Sequence, residues 1–378
     1  MADPLHCYVH IPFCRRKCPY CGFVSYAGKE YLLESYGRAV AAEAQRVACS
    51  LPGRELDTVY FGGGTPSLLA AEQVGHLLAV LDDVWGLASN AEVTLEANPG
   101  TVDGEKLAAL RRAGANRLSL GVQSFDDGEL ALLGRLHSAG EALAAYGFAR
   151  QAGFGNICLD LIWGLPEQTA ASWRLRLQKA IELGPEHVSA YALTLEGGTQ
   201  FGARAAAGEL ALPDEDTQLA MYETARRMLA EAGYGQYEIS NWARPGYECR
   251  HNLAYWHGQE YVGLGAGAHS FVQGTRRANV EEVEAYIEAV ERGQAPTASE
   301  ESLSPQRAMG EAIMLGLRTV EGVDLAAAQR RFGVDPWAEY ADAMQQLEGL
   351  ALLARTDRGI RLTERGMALA DEIAMRFL

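Results

Sequence analysis

Cys14, Cys18 and Cys21 fall in the run Cys14-Arg15-Arg16-Lys17-Cys18-Pro19-Tyr20-Cys21, a C-x3-C-x2-C spacing near the start of the chain. Three thiolates this close together can hold three corners of one iron–sulfur cube and leave the fourth iron open to a small molecule. Such a site is reactive rather than merely structural. Zinc is the competing metal, but closed zinc sites take four ligands, usually as two separated pairs, and no second C-x-x-C follows. A secreted disulfide framework would place more cysteines in a shorter chain. Cys7, Cys49, Cys158 and Cys249 show no pairing pattern. A reducing cytosol, hence a cytoplasmic protein, is the expected setting.

Composition sets the outer limits. A chain of 378 residues, 48% hydrophobic and 22% charged, is that of a soluble globular protein of about two domains. No apolar run reaches the ~20 residues of a membrane span, and the N-terminus enters a strand pattern without a signal peptide. Membrane association is therefore expected only through a partner. The net charge of −16 argues against a nucleic-acid partner, which needs a positive surface. Arg15, Arg16 and Lys17 form a local basic exception beside the cysteines, suited to neutralising thiolates or a bound anion.

The elements that must position these residues alternate. Apolar, β-branched runs predict strands near 6–13, 57–62, 92–97, 117–122, 156–162 and 186–193. Helical patterns lie between them near 28–49, 69–82, 103–113, 126–151, 168–183 and 214–233. Such alternation predicts an α/β fold with a parallel sheet, here an incomplete (β/α)6 barrel over residues 1–240. Cys14 to Cys21, Gly62 to Thr65, Glu96, Gln123, Asp160 and Tyr191 all fall at or just past a strand's C-terminal end, the face that carries barrel active sites. Residues 241–300 read as an aromatic-, glycine- and histidine-rich segment with a connector, including a polar linker around 295–305. Residues 301–378 read as a mostly helical, winged-helix-like domain with a hairpin turning at Asp357-Arg358-Gly359. The acidic balance makes that domain a docking lid rather than a DNA reader.

Gly62-Gly63-Gly64-Thr65-Pro66-Ser67 lets the backbone approach a ligand closely, although a plain strand-to-helix loop has the same composition. Glu96 and Asp160 are acids at the ends of apolar strands, costly there unless hydrogen-bonded or paired with a cation. A bound cation and a structural arginine are equally open as the partner.

Taken together, these motifs resemble the radical S-adenosylmethionine (SAM) superfamily. Tyr8-Val9-His10-Ile11-Pro12-Phe13-Cys14, GGGTPS, LEANPG, LGVQSF and DLIWGLP follow the order of its oxygen-independent coproporphyrinogen III oxidase family, densely from residue 5 to about 240 and more thinly beyond. The resemblance implies a [4Fe-4S] cluster on Cys14, Cys18 and Cys21. It also implies SAM among Tyr8, Tyr20, Gly63, Gly64, Thr65, Glu96, Gln123, Arg135 and Asp160, with Ala192 a weaker addition.

Two departures separate the chain from the oxidase. Phe23 stands where the oxidase has a further cysteine, and the first predicted strand begins five residues into the chain, without the oxidase's N-terminal extension. Both match a sister branch of heme chaperones that bears an H-N-x-x-Y-W motif, present as His251-Asn252-Leu253-Ala254-Tyr255-Trp256. That resemblance implies heme on His251, Asn252, Tyr255 and Trp256, since imidazole ligates iron and aromatic faces pack on a macrocycle. Cys249 and His269 are rival iron ligands. The plain alternative is that His251 is a surface histidine and Tyr255 and Trp256 are ordinary core. The implied function is a heme chaperone that delivers heme to an apo-hemoprotein, with the porphyrinogen-decarboxylating enzyme as the alternative. Homodimerisation is left open.

Overall fold

A computed structural model describes residues 4–378. Six strands, β1 (Leu5–Ile11), β2 (Leu56–Gly63), β3 (Leu87–Ala97), β4 (Arg117–Gln123), β5 (Ile157–Trp163) and β6 (His187–Ala192), pair in sequence order and all in parallel. Each lies within a few residues of its predicted position. The register shows why both faces are demanding. Val9, Phe61, Leu95, Leu118 and Ile157 align across five strands, fully buried in the core they share with helix residues such as Val40, Leu78 and Leu107. One residue along, Glu96, Ser119, Cys158 and His187 align on the opposite face. Successive side chains alternate across a strand, so this second row points into the barrel. The outside of the sheet is an oily core and the inside a polar one.

The helix predicted over 126–151 is two helices, Asp127–Leu132 and Ala139–Gln151. Gly134 breaks it at φ +67°, where a Cβ would lie 2.7 Å from Pro19 of the cysteine loop. The second helix restarts on a capping box. The Ser138 hydroxyl accepts from the Glu141 amide at 3.2 Å, and the Glu141 carboxylate accepts from the Ser138 amide at 2.8 Å. The break frees Arg135 to reach the cysteine loop.

Residues 241–300, expected to hold the aromatic-, glycine- and histidine-rich segment and a connector, build the same sheet outward at both edges. Asn241–Ala243 pairs antiparallel with β6 and with Gly235–Glu238. On the other side Tyr261–Leu264 pairs in parallel with β1, a seventh parallel strand, and is followed by the antiparallel strands His269–Val272, Thr275–Asn279 and Thr297–Ser302. The linker expected around 295–305 is therefore largely an edge strand. Its mostly exposed Ser and Glu side chains are compatible with pairing on one side only. Between the two edges the helix Arg250–Trp256 crosses the N-terminal ends of the parallel strands, where Glu92 accepts from the amides of Arg250 and His251, both at 3.2 Å.

Residues beyond 304 form the predicted winged-helix-like unit. It has helices Pro305–Gly316, Leu325–Phe332 and Ala341–Gly349, a hairpin of Leu353–Arg355 with Gly359–Leu362, and short terminal helices. Backbone bonds from Ile239 to the Arg318 carbonyl and from Val320 to the Tyr237 carbonyl, both 3.1 Å, dock it onto the barrel.

Candidate cofactor site

The C-terminal ends of the parallel strands surround a cavity of about 1250 Å³. Cys14, Cys18 and Cys21, all free thiols, line one side of it. The loop is held by a short strand pairing of Phe13–Cys14 with Tyr26–Ala27 and by a bond from the Cys21 amide to the Cys18 carbonyl at 3.2 Å. The Thr65 hydroxyl donates to Cys14 Sγ at 3.4 Å, and the Arg135 guanidinium lies 3.7 Å from Cys18 Sγ while also donating to the Gly121 carbonyl at 2.8 Å. Burial pushes the Cys14 and Cys21 thiols up, with Thr65 drawing Cys14 back down. Among the described residues no three His, Cys, Asp or Glu side chains converge on a single-ion position. Three sulfurs along one wall, with a guanidinium beside them, are a thiolate donor set of the kind iron–sulfur clusters use.

The glycines sit where a close approach requires them. Gly63 has φ +108°, and a Cβ there would fall 2.4 Å from the His10 ring. At Gly64 a Cβ would lie 2.7 Å from the Phe13 carbonyl oxygen. Both are therefore set by the protein's own β1 end as well as by any ligand. The Gly63 amide donates to the Glu96 carboxylate at 3.1 Å.

Glu96 also accepts from the Tyr60 phenol at 2.8 Å. Burial raises its pKa to about 7, against the lowering by Tyr60, and nearby Asp160 raises it further. Asp160 accepts from Ser119 Oγ at 2.9 Å and from the Cys158 thiol at 3.2 Å, and burial raises it as well. Among the described residues neither acid forms an ion pair. The structural arginine anticipated for them is Arg117, 2% exposed, which acts through its field alone and whose Nε has no hydrogen-bond partner. An arginine opening the apolar strand RLSLGV was the sequence signal for it.

Tyr20, Thr65, Gln123, Arg135 and Ala192 line the same cavity, and Gln123 holds a left-handed φ of +65° at its strand end. Tyr8 lies outside the lining. Its phenol pairs with His10 Nδ1 at 3.0 Å and its ring stacks on Tyr60, so it backs the residue that holds Glu96. Tyr60, Ser119, Ser189 and Trp163 line the cavity without having stood out in the sequence.

The H-N-x-x-Y-W segment lies mostly behind the cavity, with its histidine in the interior. His251 is 1% exposed, its Nδ1 lies 2.6 Å from Thr58 Oγ1, and its Nε2 lies 2.9 Å from the Tyr255 phenol. Burial lowers its pKa well below the ordinary value, so the ring is neutral. It packs as a core histidine here, with both ring nitrogens hydrogen-bonded within the protein and neither on the surface. Tyr255 packs edge-on against Tyr261 at 4.6 Å, and Trp256 lies under the Arg318 guanidinium at 4.9 Å. Only Asn252 of the motif lines the cavity. Of the rival ligands, Cys249 is fully buried with its thiol pushed up to about 12, and His269 is exposed at the start of the strand His269–Val272, outside the lining.

A parallel half-barrel with a three-cysteine loop, a glycine ridge and strand-end acids around one cavity defines a radical SAM protein. The family model described as "Radical SAM superfamily" matches residues 8–179, and the one described as "HemN C-terminal domain" matches residues 303–369. "Heme chaperone HemW" of Mycobacterium tuberculosis is 40% identical over 100% of this chain and 95% of its own length, and that of Bacillus subtilis is 35% identical over 98% of each. "Radical S-adenosyl methionine domain-containing protein 1, mitochondrial" of Bos taurus is 36% identical over 98% of this chain and 86% of its own. The solved coproporphyrinogen III oxidase (HemN) of Escherichia coli, titled a radical SAM enzyme, superposes with a TM-score of 0.86 at 25% identity over 99% of this chain and 90% of that one. The chain belongs to the heme chaperone HemW family.

Proposed function

We propose that this protein is a cytoplasmic heme chaperone that carries a SAM-ligated [4Fe-4S] cluster, binds heme and passes it to an apo-hemoprotein. End-to-end similarity at 35–40% identity to proteins named heme chaperone HemW is the observation that carries this reading. The cavity supports it, since about 1250 Å³ exceeds the 300–1,000 Å³ usual for one small ligand. No helix among the described residues is long and apolar enough to cross a membrane.

In this proposal Cys14, Cys18 and Cys21 hold the cluster, with Arg135 offsetting thiolate charge. Gly63, Gly64, Thr65, Glu96, Gln123, Asp160, Tyr20 and Ala192 surround SAM, whose sulfonium supplies the positive charge that the two buried acids otherwise lack at close range. Ionised Glu96 is held by Tyr60 and the Gly63 amide, and Asp160 by Ser119. Phe23, 68% exposed at the cavity's edge, leaves no thiol at the position where the oxidase family carries its further cysteine.

The test is a turnover assay beside a transfer assay. Anaerobic, reconstituted protein with coproporphyrinogen III, SAM and a reductant is expected to give no protoporphyrinogen, and heme-loaded protein to restore the spectrum of an apo-hemoprotein. Porphyrinogen decarboxylation would make it an enzyme of the oxidase type instead.

A further inference from the structure

The cavity has a second flank that the cluster and SAM do not account for. It is formed by the helix Glu215–Glu231 and by the C-terminal unit, and it carries exposed apolar groups turned toward the cavity. Leu219 is 43% exposed and Leu369 41%, and both are cavity-lining. Exposed large apolar groups gathered around one recess mark a ligand surface rather than ordinary scatter. Arg318 lines the same flank and is the one cation there among the described residues. Its guanidinium lies over the Trp256 ring at 4.9 Å, which fixes its plane, and its Nε is buried without a hydrogen-bond partner. Its ion-pair partner Asp371 is 85% exposed, so that bond is a weak, exchangeable surface pair.

Resting on the heme-chaperone reading, we infer that heme seats against this flank, with its ring on Leu219 and Leu369 and a propionate on Arg318 in place of Asp371. A flat apolar macrocycle with carboxylates at one edge matches Leu219 and Leu369 beside a single oriented guanidinium, which binds carboxylate through two parallel N–H donors, while Glu215, Asp216 and Glu372 on the same flank leave Arg318 as the one place there for a propionate. On this account Trp256 of the H-N-x-x-Y-W segment serves heme by holding Arg318 from beneath. The buried His251 sits farther inside as core.

Hemin and hemin dimethyl ester, in which both propionates are masked, are titrated into the full-length protein by absorbance. Arg318→Gln is expected to weaken hemin about tenfold, as for loss of one charge-assisted hydrogen bond, and to leave the ester unchanged. Leu369→Asp is expected to weaken both. Asp371→Ala, at an exposed position, removes the competing carboxylate and should tighten hemin a few-fold, which keeps the inference testable if Arg318→Gln does not fold. Wild-type affinity for hemin in all three variants would put heme elsewhere and overturn the inference. Equal losses of hemin and ester in Arg318→Gln would overturn the propionate contact. A wild-type protein that binds no hemin would instead remove the heme-chaperone reading itself.

Discussion

Thr58 Oγ1 lies between two buried histidines, 2.6 Å from His251 Nδ1 and 3.0 Å from His6 Nδ1. One hydroxyl proton cannot serve both, so the order of donors is fixed by the far end of the chain. His6 Nε2 faces Gln259 Oε1 at 2.9 Å, an acceptor, so that nitrogen carries the proton and His6 Nδ1 accepts from Thr58. The Thr58 oxygen then accepts from His251 Nδ1–H, and His251 Nε2 accepts from the Tyr255 phenol at 2.9 Å. Both rings are neutral, as burial lowers both pKa values. The one lone pair His251 could offer to iron is already in use.

His251→Ala should therefore act on stability before it acts on heme. It leaves Thr58 and Tyr255 with buried, unmade hydrogen bonds, at a cost of about 2–4 kcal/mol in urea unfolding. The Soret maximum of the hemin complex should stay where the wild type has it. A shifted maximum in a folded variant would make His251 the iron ligand after all.

SAM affinity should depend on pH through Glu96. Its carboxyl is raised to about 7 in the folded protein, by burial first and by Asp160 in addition. For the folded protein without ligand the sign is that of a raised acid: stability from this group is full below its unfolded value of about 4.3 and is lost as pH rises through about 7. Binding of a sulfonium cation runs the other way, because it favours the carboxylate. Affinity should level off above about pH 7 and fall roughly tenfold per unit below it. Calorimetry on Glu96→Gln should show weaker binding and a flattened pH profile, and Asp160→Asn weaker binding, both with unchanged iron content.

Cys14→Ala, Cys18→Ala and Cys21→Ala should each abolish the broad visible absorption of the reconstituted protein. Cys7→Ala and Cys49→Ala should keep it. Cys158→Ala should keep it too, although this thiol lies 3.2 Å from Asp160, because it is absent from the cavity lining. Iron loss from Cys158→Ala equal to that from Cys18→Ala would relocate the cluster.

Gly63→Ala should lower thermal stability even without cofactors. A Cβ at φ +108° is strained, and its place is taken by the His10 ring 2.4 Å away, which itself is tied to the Val24 carbonyl at 2.8 Å. Strain of about 1–3 kcal/mol at the backbone alone predicts a lower melting temperature in the apo state. Apo melting equal to wild type would show that this glycine serves only the ligand.

The sequence by itself determined the half-barrel and its reactive face. Continuous apolar strands with helices between them point to a parallel sheet with crossover connections, and Cys14, Gly63, Glu96, Gln123 and Asp160 mark strand ends because each is out of place in an apolar run. The sequence did not show the break at Gly134, since only contact with Pro19 of a distant loop makes a left-handed turn there worthwhile. Nor did it show that the strand Tyr261–Leu264 returns to pair with β1, because that register rests on residues some 250 positions apart. The H-N-x-x-Y-W run was legible as a motif, yet its depth was not. Whether a histidine faces a cavity or a core is decided by which side of its helix meets the strands, and Thr58, His6 and Tyr60 fill that side here. Local pattern specifies elements; the partner each polar atom finds across the fold decides what that atom is free to do.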